Sequence, residues 1–138
     1  MPIHDHLTAV ADLAGNPGYA HAVTASGRLA FVSGQVAVDS GGRPVGGDMA
    51  AQTRQALGNL HRVVRSLGAD WPDVVRFNWY VTDVTDIQAV RDVRDELIRP
   101  ALGDRPNPAS SLVRVAGLYL PELLIEVDAV VAVPAEQD

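Results

Sequence analysis

Apolar residues recur with two different periods along this chain, and the changes between these periods outline its secondary structure. Period-two alternation or a short apolar run predicts strands, here over residues 20–25, 29–38, 74–82, 111–115 and 123–133. A spacing of three and four residues predicts two helices, from Asp48 to Gly68 and from Asp86 to Pro100. The order β-β-α-β-α-β-β is typical of an α+β domain whose mixed sheet carries both helices on one face.

Four residues set the details of the two predicted helices. Asp48 can cap the first helix because its carboxylate accepts from unpaired backbone N–H groups, and Gly68 suits its end. Pro100 is expected to end the second helix, since proline has no backbone N–H. Gly58 costs about 1 kcal/mol relative to alanine inside a helix, so we expect close backbone packing around it.

The last predicted strand is apolar on both of its faces. One face holds Leu123, Ile125, Val127, Ala129, Val131 and Val133, and the other holds Leu124, Val130 and Ala132 around Glu126 and Asp128. Such a strand is typical of burial on both sides. Since both helices are expected on one face of the sheet, self-association through the open face is the simplest way to bury the other. Asp128 is expected to face a neighbour or solvent.

Length and composition indicate a small globular protein. The 138 residues, 47% apolar and 20% charged, fit one domain, which we divide into a lead-in (1–18), a single domain (19–134) and a tail (135–138). The lead-in is expected to be mobile. Its first residues lack the blocks of a signal peptide, and no apolar run approaches the roughly 20 residues of a membrane span. A cytoplasmic protein with no membrane partner is therefore expected.

Several classes of chemistry are disfavoured by composition. A formal charge of −6 gives no basic surface for phosphates, so a nucleic-acid partner is not expected. The chain has no cysteine, which excludes thiolate zinc sites and cysteine nucleophiles. All eleven basic residues are arginine, so a lysine Schiff base to pyridoxal phosphate is excluded. The four histidines do not form a metal-binding pattern, and we expect neither metal nor cofactor.

Several short motifs, in order and at their spacing, resemble the reactive-intermediate deaminase family, the RidA or YjgF-like proteins. They cover roughly residues 18–133 and include Gly18-Tyr19, Phe31-Val32-Ser33-Gly34-Gln35, Gln52-Thr53, Tyr80-Val81-Thr82-Asp83, Pro108-Ala109, Gly117-Leu118 and Ile125-Glu126-Val127. The resemblance implies a chorismate-mutase-like (YjgF-like) α+β fold and a homotrimer whose sheets form a central barrel. It also implies small-molecule clefts between subunits and, in the archetypal subgroup, cofactor-free hydrolysis of imines and enamines such as 2-iminoacids.

The residue that binds the substrate carboxylate in that subgroup is missing here. The subgroup motif is Pro-Ala-Arg-Ser, whose arginine offers a bidentate donor fork, whereas Ser110 stands at its place in this chain. Leu112 stands where the subgroup often has cysteine, which makes the pocket more apolar. Arg114 follows Ser110 by four residues, about 13 Å along the strand. It is therefore expected to be a solvated or interface ion pair rather than a substitute for the arginine.

Other candidate site residues follow from the resemblance. Glu126 matches the carboxylate that positions the attacking water, and the alternative is an ion pair with an interface arginine. Tyr19 matches a tyrosine that borders the cleft, but it could equally be a lid over the domain edge. Ser33 and Gly34 are expected at a strand end, where backbone N–H groups could face a ligand or simply tighten the turn.

Three functions remain open from the sequence. The first is a hydrolase of a small imine or enamine that uses Glu126, although Ser110 makes efficient deamination of 2-iminoacids doubtful. The second is a non-catalytic trimer that binds or senses a small ligand in the same cleft. The third is an endoribonuclease, an activity attributed to some family members, which the acidic charge disfavours.

Overall fold

The computed structural model describes residues 2–136, so the last two residues of the expected tail lie outside the described residues. The strands are β1 (Ile3–Leu7), β2 (Ala22–Ala25), β3 (Leu29–Val36), β4 (Val74–Val81), β5 (Ala109–Arg114) and β6 (Ile125–Ala132), and the helices are α1 (Met49–Ser66) and α2 (Ile87–Leu102). The main sheet has the order β3-β6-β4-β5, in which β4 and β5 are parallel and the other pairs are antiparallel. The expected mixed α+β sheet is thus present, with β6 and β4 at its centre.

Both helices pack on one face of this sheet. Leu57, Leu60 and Val64 of α1 are fully buried, as the helical spacing predicted, and they join one core cluster with Ile125, Val127 and Val131 of β6. Burial of this apolar surface is the main source of stability for such a layered fold. The predicted inward face of the last strand is therefore confirmed.

The lead-in contains a strand that sequence patterning did not predict. β1 pairs antiparallel with β2 to form a separate two-stranded sheet, and His4 Nε2 lies 2.7 Å from Ser26 Oγ across this pair. Backbone pairing thus ties residues 3–7 to the domain, whereas the sequence patterning predicted no strand before residue 20.

Two expectations about the helices were wrong. Pro100 lies inside α2, which continues to Leu102, because a proline in the last turn removes one hydrogen bond only shortly before the helix would end anyway. Arg99 donates to the carbonyl oxygens of Gly103 and Arg105 just beyond this end. Gly58 is exposed, and no described atom lies within 4 Å of a Cβ built there, so close packing does not explain this glycine.

A bulge changes the alternation in β4. The register shifts between Val74 and Arg76, so that Val74 is buried together with Phe77, Trp79 and Val81, while Val75 is only partly buried. The alternation predicted that Val75 shares a face with Phe77 and that Val74 shares the other face with Arg76; both assignments are wrong because a bulge inserts an extra residue. From Arg76 onward the predicted faces are observed.

Candidate active site

A cavity of about 440 Å³ lies on the helix side of the sheet, at the β5 edge. Tyr19, Ser110 and Leu112, three of the residues singled out from the sequence, line this cavity together with Trp79 and one side of α2. Alternation along β5 explains why residues 110 and 112 face it together. The structure therefore brings these three predicted residues to one place.

Ser110 is held by the core of the sheet. It pairs with Phe77 in the parallel β4–β5 ladder, and the indole N–H of Trp79 donates to its hydroxyl oxygen at 3.1 Å. The Ser110 hydroxyl thus presents an uncharged polar group beside an aromatic wall. Its neighbour Ser111 points to the opposite face, where it accepts from Arg76 at 2.6 Å.

Helix α2 supplies the wall of the cavity that faces β5. Ile87, Val90, Arg91 and Arg94 line it, at spacings that place them on one side of a helix. Arg94 lies beside Gly18: a Cβ at that glycine would be at ordinary contact distance from its guanidinium, 3.4 Å from one terminal nitrogen and 3.5 Å from the other. Helical spacing alone does not indicate that Arg94 faces a cavity, because this depends on packing against the loop of Gly18.

Glu126 occupies the other face of the sheet. It pairs with Tyr80 of β4, whose side chain, like those of Arg76 and Asn78, lies on the face away from the helices. Gly34 of β3 lies directly against it: a Cβ added to Gly34 would lie 2.6 Å from Cδ of Glu126. Only a residue without a side chain lets the Glu126 carboxyl lie against the β3 backbone.

The Glu126 carboxyl titrates in an unusual environment. Burial raises its pKa above the ordinary value, and the nearby negative charge of Asp128 raises this pKa further. Asp128 accepts from Asn78 Nδ2 at 2.8 Å and from the Tyr80 hydroxyl at 3.0 Å. The expectation that Asp128 faces a neighbour or solvent misses these two bonds within the same sheet. The hydrogen bond to Asp128 in turn raises the pKa of Tyr80.

Ser33 and Gly34 lie within β3 and not at its end. The β3–β6 register shifts between Val32 and Gln35, and a bulge of this kind interrupts the ladder of backbone hydrogen bonds. Both residues are exposed, and the Gln35 side-chain amide donates to the Ser33 carbonyl oxygen. The bulge thus leaves backbone groups open beside Glu126.

Arg114 lies away from the helix-side cavity of its own protomer. It lies at the exposed end of β5, its Nε donates to the Thr82 carbonyl oxygen at 3.3 Å, and it is not among the residues that line the cavity. Its observed partner is therefore a backbone carbonyl.

The candidate residues form two groups on opposite faces of one sheet. Tyr19, Ser110 and Leu112 face the helix-side cavity, whereas Ser33, Gly34 and Glu126 lie together at the open face. The second group also lies toward the other edge, since β3 and β5 are separated by β6 and β4, or about 14 Å between the two edge strands. The two groups cannot meet within one protomer.

Within residues 2–136, no group of three or more histidine, cysteine, aspartate or glutamate side chains is arranged so that it could hold a metal ion. His61, for example, bonds Asp70 at 2.8 Å and stacks on Trp71. Neither helix in this part of the chain is long and apolar enough to cross a membrane.

Comparison with known proteins identifies the family. Residues 10–133 match the family described as Endoribonuclease L-PSP. The chain belongs to this family. It is 32% identical over 118 residues to a RutC family protein of Synechocystis, covering 84% of this chain and 86% of that protein. It is 31% identical over 112 residues to the 2-iminobutanoate/2-iminopropanoate deaminase of Bos taurus, covering 80% and 77%.

Solved structures agree with this assignment. YyfB of Yersinia pestis, a protein of unknown function in the conserved Rid family, superposes with a TM-score of 0.81 at 34% identity, covering 96% of this chain and 99% of that one. The YjgF gene product of E. coli superposes with a TM-score of 0.67 at 27% identity, covering 92% of each chain. The family resemblance and the YjgF-like fold predicted from the motifs are both confirmed.

Proposed function

We propose that this protein is a cofactor-free hydrolase of a small imine or enamine, acting in a cleft between copies of the chain. The observation that carries the proposal is the placement of Glu126, which is partly buried against Gly34 and has a raised pKa. A carboxyl whose pKa is raised by burial is a stronger base than an ordinary carboxylate, which suits it to take a proton from water. Relatives named as 2-iminobutanoate/2-iminopropanoate deaminases support the reaction class.

The cleft needs two copies because the two groups of residues face opposite sides of the sheet. Phe31 is 76% exposed and Val113 48% exposed on the single chain, and Val130, opposite Phe31 in the ladder, adds to the same apolar face. Burial of these side chains against another protomer would be favourable. A homotrimer with the sheets at its centre, as the family resemblance implies, would bring Glu126 of one copy to the cavity of the next.

The proposed reaction is balanced by water alone. Glu126 accepts a proton from water as its oxygen attacks the imine carbon, and the C=N π electrons move to nitrogen. The same carboxyl then returns this proton to the nitrogen, which gives a carbinolamine. Glu126 next takes the carbinolamine hydroxyl proton and passes it to the nitrogen, the C=O bond forms as the C–N bonding electrons leave with nitrogen, and a carbonyl compound and ammonia are released. An enamine is first protonated at carbon, which converts it to the imine, and the imine then reacts in the same way.

Ser110 disfavours ordinary 2-iminoacids as substrates. A hydroxyl supplies neither the charge nor the fork of the arginine found in the archetypal subgroup, and loss of such a contact costs on the order of 2–4 kcal/mol of binding. The uncharged Ser110 also favours the second candidate, a trimer that binds a small ligand without turnover.

An endoribonuclease is disfavoured by the net charge of −6, since RNA binding depends on cationic surface. We further propose that the protein is cytoplasmic and that it has no nucleic-acid or membrane partner.

The test is ammonia release from imines generated freshly by a flavin amine oxidase from primary amines with aliphatic and aromatic side chains, compared with 2-iminoacids generated by an amino-acid oxidase. Glu126→Gln should remove the activity above the uncatalysed rate while the sedimentation coefficient stays that of the wild type. Glu122→Gln is the matched control, because Glu122 is exposed and contributes only its backbone carbonyl to the observed contacts. If no imine is hydrolysed faster than in buffer, or if Glu126→Gln is as active as the wild type, the hydrolase proposal is wrong.

A further inference from the structure

The helix-side cavity contains two cations that the resemblance to the family does not account for. Arg91 and Arg94 both line it, one helical turn apart on α2. Neither position corresponds to the arginine that Ser110 replaces, which would stand on β5. The cavity is therefore not without positive charge; the charge comes from the helix and not from the strand.

Arg94 is held in place rather than free in solvent. Its side chain is only 19% exposed, and the loop of Gly18 packs beside its guanidinium, since a Cβ at that glycine would lie at an ordinary contact distance of 3.4 Å from one terminal nitrogen. The turn that delivers Gly18 is fixed by the amide N–H of Gly18, which donates to Asn16 Oδ1 at 2.6 Å. A guanidinium fixed in this way binds an anion at a smaller entropic cost than a mobile one.

The donors of the two arginines are only partly used. Arg94 bonds Asp95 Oδ1 at 3.0 Å through Nε and through one terminal nitrogen, which leaves its other terminal nitrogen for a ligand. Arg91 makes no hydrogen bond or ion pair within residues 2–136. Asp95 is half-exposed, at 51%, and so it competes with any incoming anion for Arg94.

The rest of the cavity is suited to the body of a small organic acid. Tyr19 and Trp79 supply aromatic surface, Leu112 and Val90 supply apolar surface, and the Ser110 hydroxyl supplies one polar contact. A volume of about 440 Å³ is within the usual range for a small-molecule site. The two cations lie on the α2 wall, and the aromatic and apolar groups line the remaining surface, which suits a ligand with one acidic end and an apolar body.

We propose that Arg94 and Arg91 form a carboxylate site at the α2 wall, so that this chain takes a small carboxylic acid whose acid group points to the helix and not to β5. This rests on the proposed function only in using the same cleft. The acid group lies away from the place that the strand arginine serves in the archetypal subgroup. A ligand with its carboxylate separated from the reacting carbon by one or more further atoms fits this arrangement better than a 2-iminoacid does.

The test compares benzoate with benzamide, which has nearly the same shape and no charge, by calorimetric titration of the whole protein. The wild type should prefer benzoate, and the preference should fall about tenfold or more in Arg94→Gln and in Arg91→Gln, since a charge-assisted contact is lost. Benzamide binding should not change. Arg62→Gln, an exposed arginine on α1 outside the cavity, is the matched control.

Two further variants make the result independent of folding. Asp95→Asn should strengthen benzoate binding several-fold, because it removes the competing carboxylate, and a gain of affinity cannot arise from misfolding. Arg94→Lys keeps the charge, so it should retain part of the preference that Arg94→Gln loses. Each variant is checked for the sedimentation coefficient and melting temperature of the wild type.

The outcomes separate this inference from the proposed function. An equal affinity of the wild type for benzoate and benzamide would overturn the carboxylate site, as would an unchanged preference in the Arg91→Gln/Arg94→Gln double variant. Glu126→Gln should retain or strengthen the preference for benzoate, since it removes a negative charge that the proposed assembly brings to the same cleft. A preference for benzoate in a protein that hydrolyses no imine would support the site and reject the hydrolase.

Discussion

The two faces of the sheet build their parts of the candidate site in different ways. On the open face the sheet itself does the positioning: β6 carries Glu126, a bulge in β3 exposes Gly34, and the register of the strands brings them into contact. On the helix face a strand, a loop and a helix each contribute one wall. The contact between Glu126 and Gly34 is fixed by strand register, so it cannot change much without disturbing the sheet. The helix-side cavity is assembled from several elements, so its positive charge can come from a helix instead of a strand.

The largest effect is expected from breaking the open-face contact. Gly34→Ala places a methyl group where the Glu126 carboxyl lies, and the flexible side chain would move aside at little cost in stability. A displacement of about 1 Å in a catalytic group can cost on the order of 100-fold in rate. We expect such a loss in the rate of imine hydrolysis, with the melting temperature nearly unchanged.

The control for this variant is Gly58→Ala, which adds the same methyl group at an exposed helical position with no described atom within 4 Å. Full activity in Gly34→Ala would show that the tight contact has no bearing on the role of Glu126.

A smaller effect, of opposite sign, is expected from restoring a cation to the strand. Ser110→Arg should raise the rate of deamination of freshly generated 2-iminoacids about ten- to a hundredfold, because a bidentate contact to their carboxylate becomes possible. Ser111→Arg, one residue along on the opposite face, is the matched control. A folded Ser110→Arg protein without any gain would contradict the explanation given for the specificity.

The pH dependence of the reaction should respond to the charge beside Glu126. The negative charge of Asp128 contributes to the raised pKa of Glu126, so Asp128→Asn should lower that pKa and move the acidic limb of the pH–rate profile to lower pH. Asp128 also bonds Tyr80 and Asn78, so the melting temperature is measured in parallel. If the acidic limb of the pH–rate profile stays in place or moves to higher pH, this limb reports the titration of a group other than Glu126.

The same raised pKa has a consequence for stability. A carboxyl whose pKa is higher in the folded than in the unfolded state stabilises the fold below the unfolded value, and this contribution is lost as the pH rises through the folded value. Glu126→Gln should therefore gain stability relative to the wild type between acidic and neutral pH. Denaturant titrations at the two pH values measure this difference, and a constant difference would mean that the two states share one pKa.

The smallest effect is expected outside both faces. Gly58→Ala should stabilise the protein by about 1 kcal/mol, because alanine is the better helix former and the site has room for it. The melting temperature should rise by a few degrees. A decrease would show that Gly58 is covered in the assembled protein.

Much of the fold could be predicted from the sequence, because its elements follow from local periodicity. The helical spacing of Leu57, Leu60 and Val64 identified α1 and its buried side, and alternation identified the apolar face of β6. β1 was missed because Ile3 and Leu7 are its only apolar residues, and its pairing with β2 spans a long loop. The bulge at Val75 was missed because it appears only in the register of β4 against β6.

The site could be predicted residue by residue but not as an arrangement. Motif resemblance selected Tyr19, Ser110 and Glu126, yet their division between two faces depends on the register of β5 and β6 against β4. Arg94 was missed because an arginine on a helix is usually solvated. Its side chain is instead largely buried because it packs against Gly18, 76 positions earlier in the sequence. Local patterns do not report such contacts.

The two residue groups lie on opposite faces of one sheet, and this placement predicts how two inactive variants should behave when their subunits assemble into one oligomer. In the proposed assembly each protomer contributes Glu126 to one cleft and its cavity to another. A mixed oligomer of two variants, one altered at Glu126 and the other in the cavity, can therefore contain a cleft in which both parts are intact. Subunits carrying Glu126→Gln, refolded together with subunits carrying a blocked cavity, should regain activity through complementation, although either preparation alone is inactive. A sheet with both groups on one side would give no such rescue.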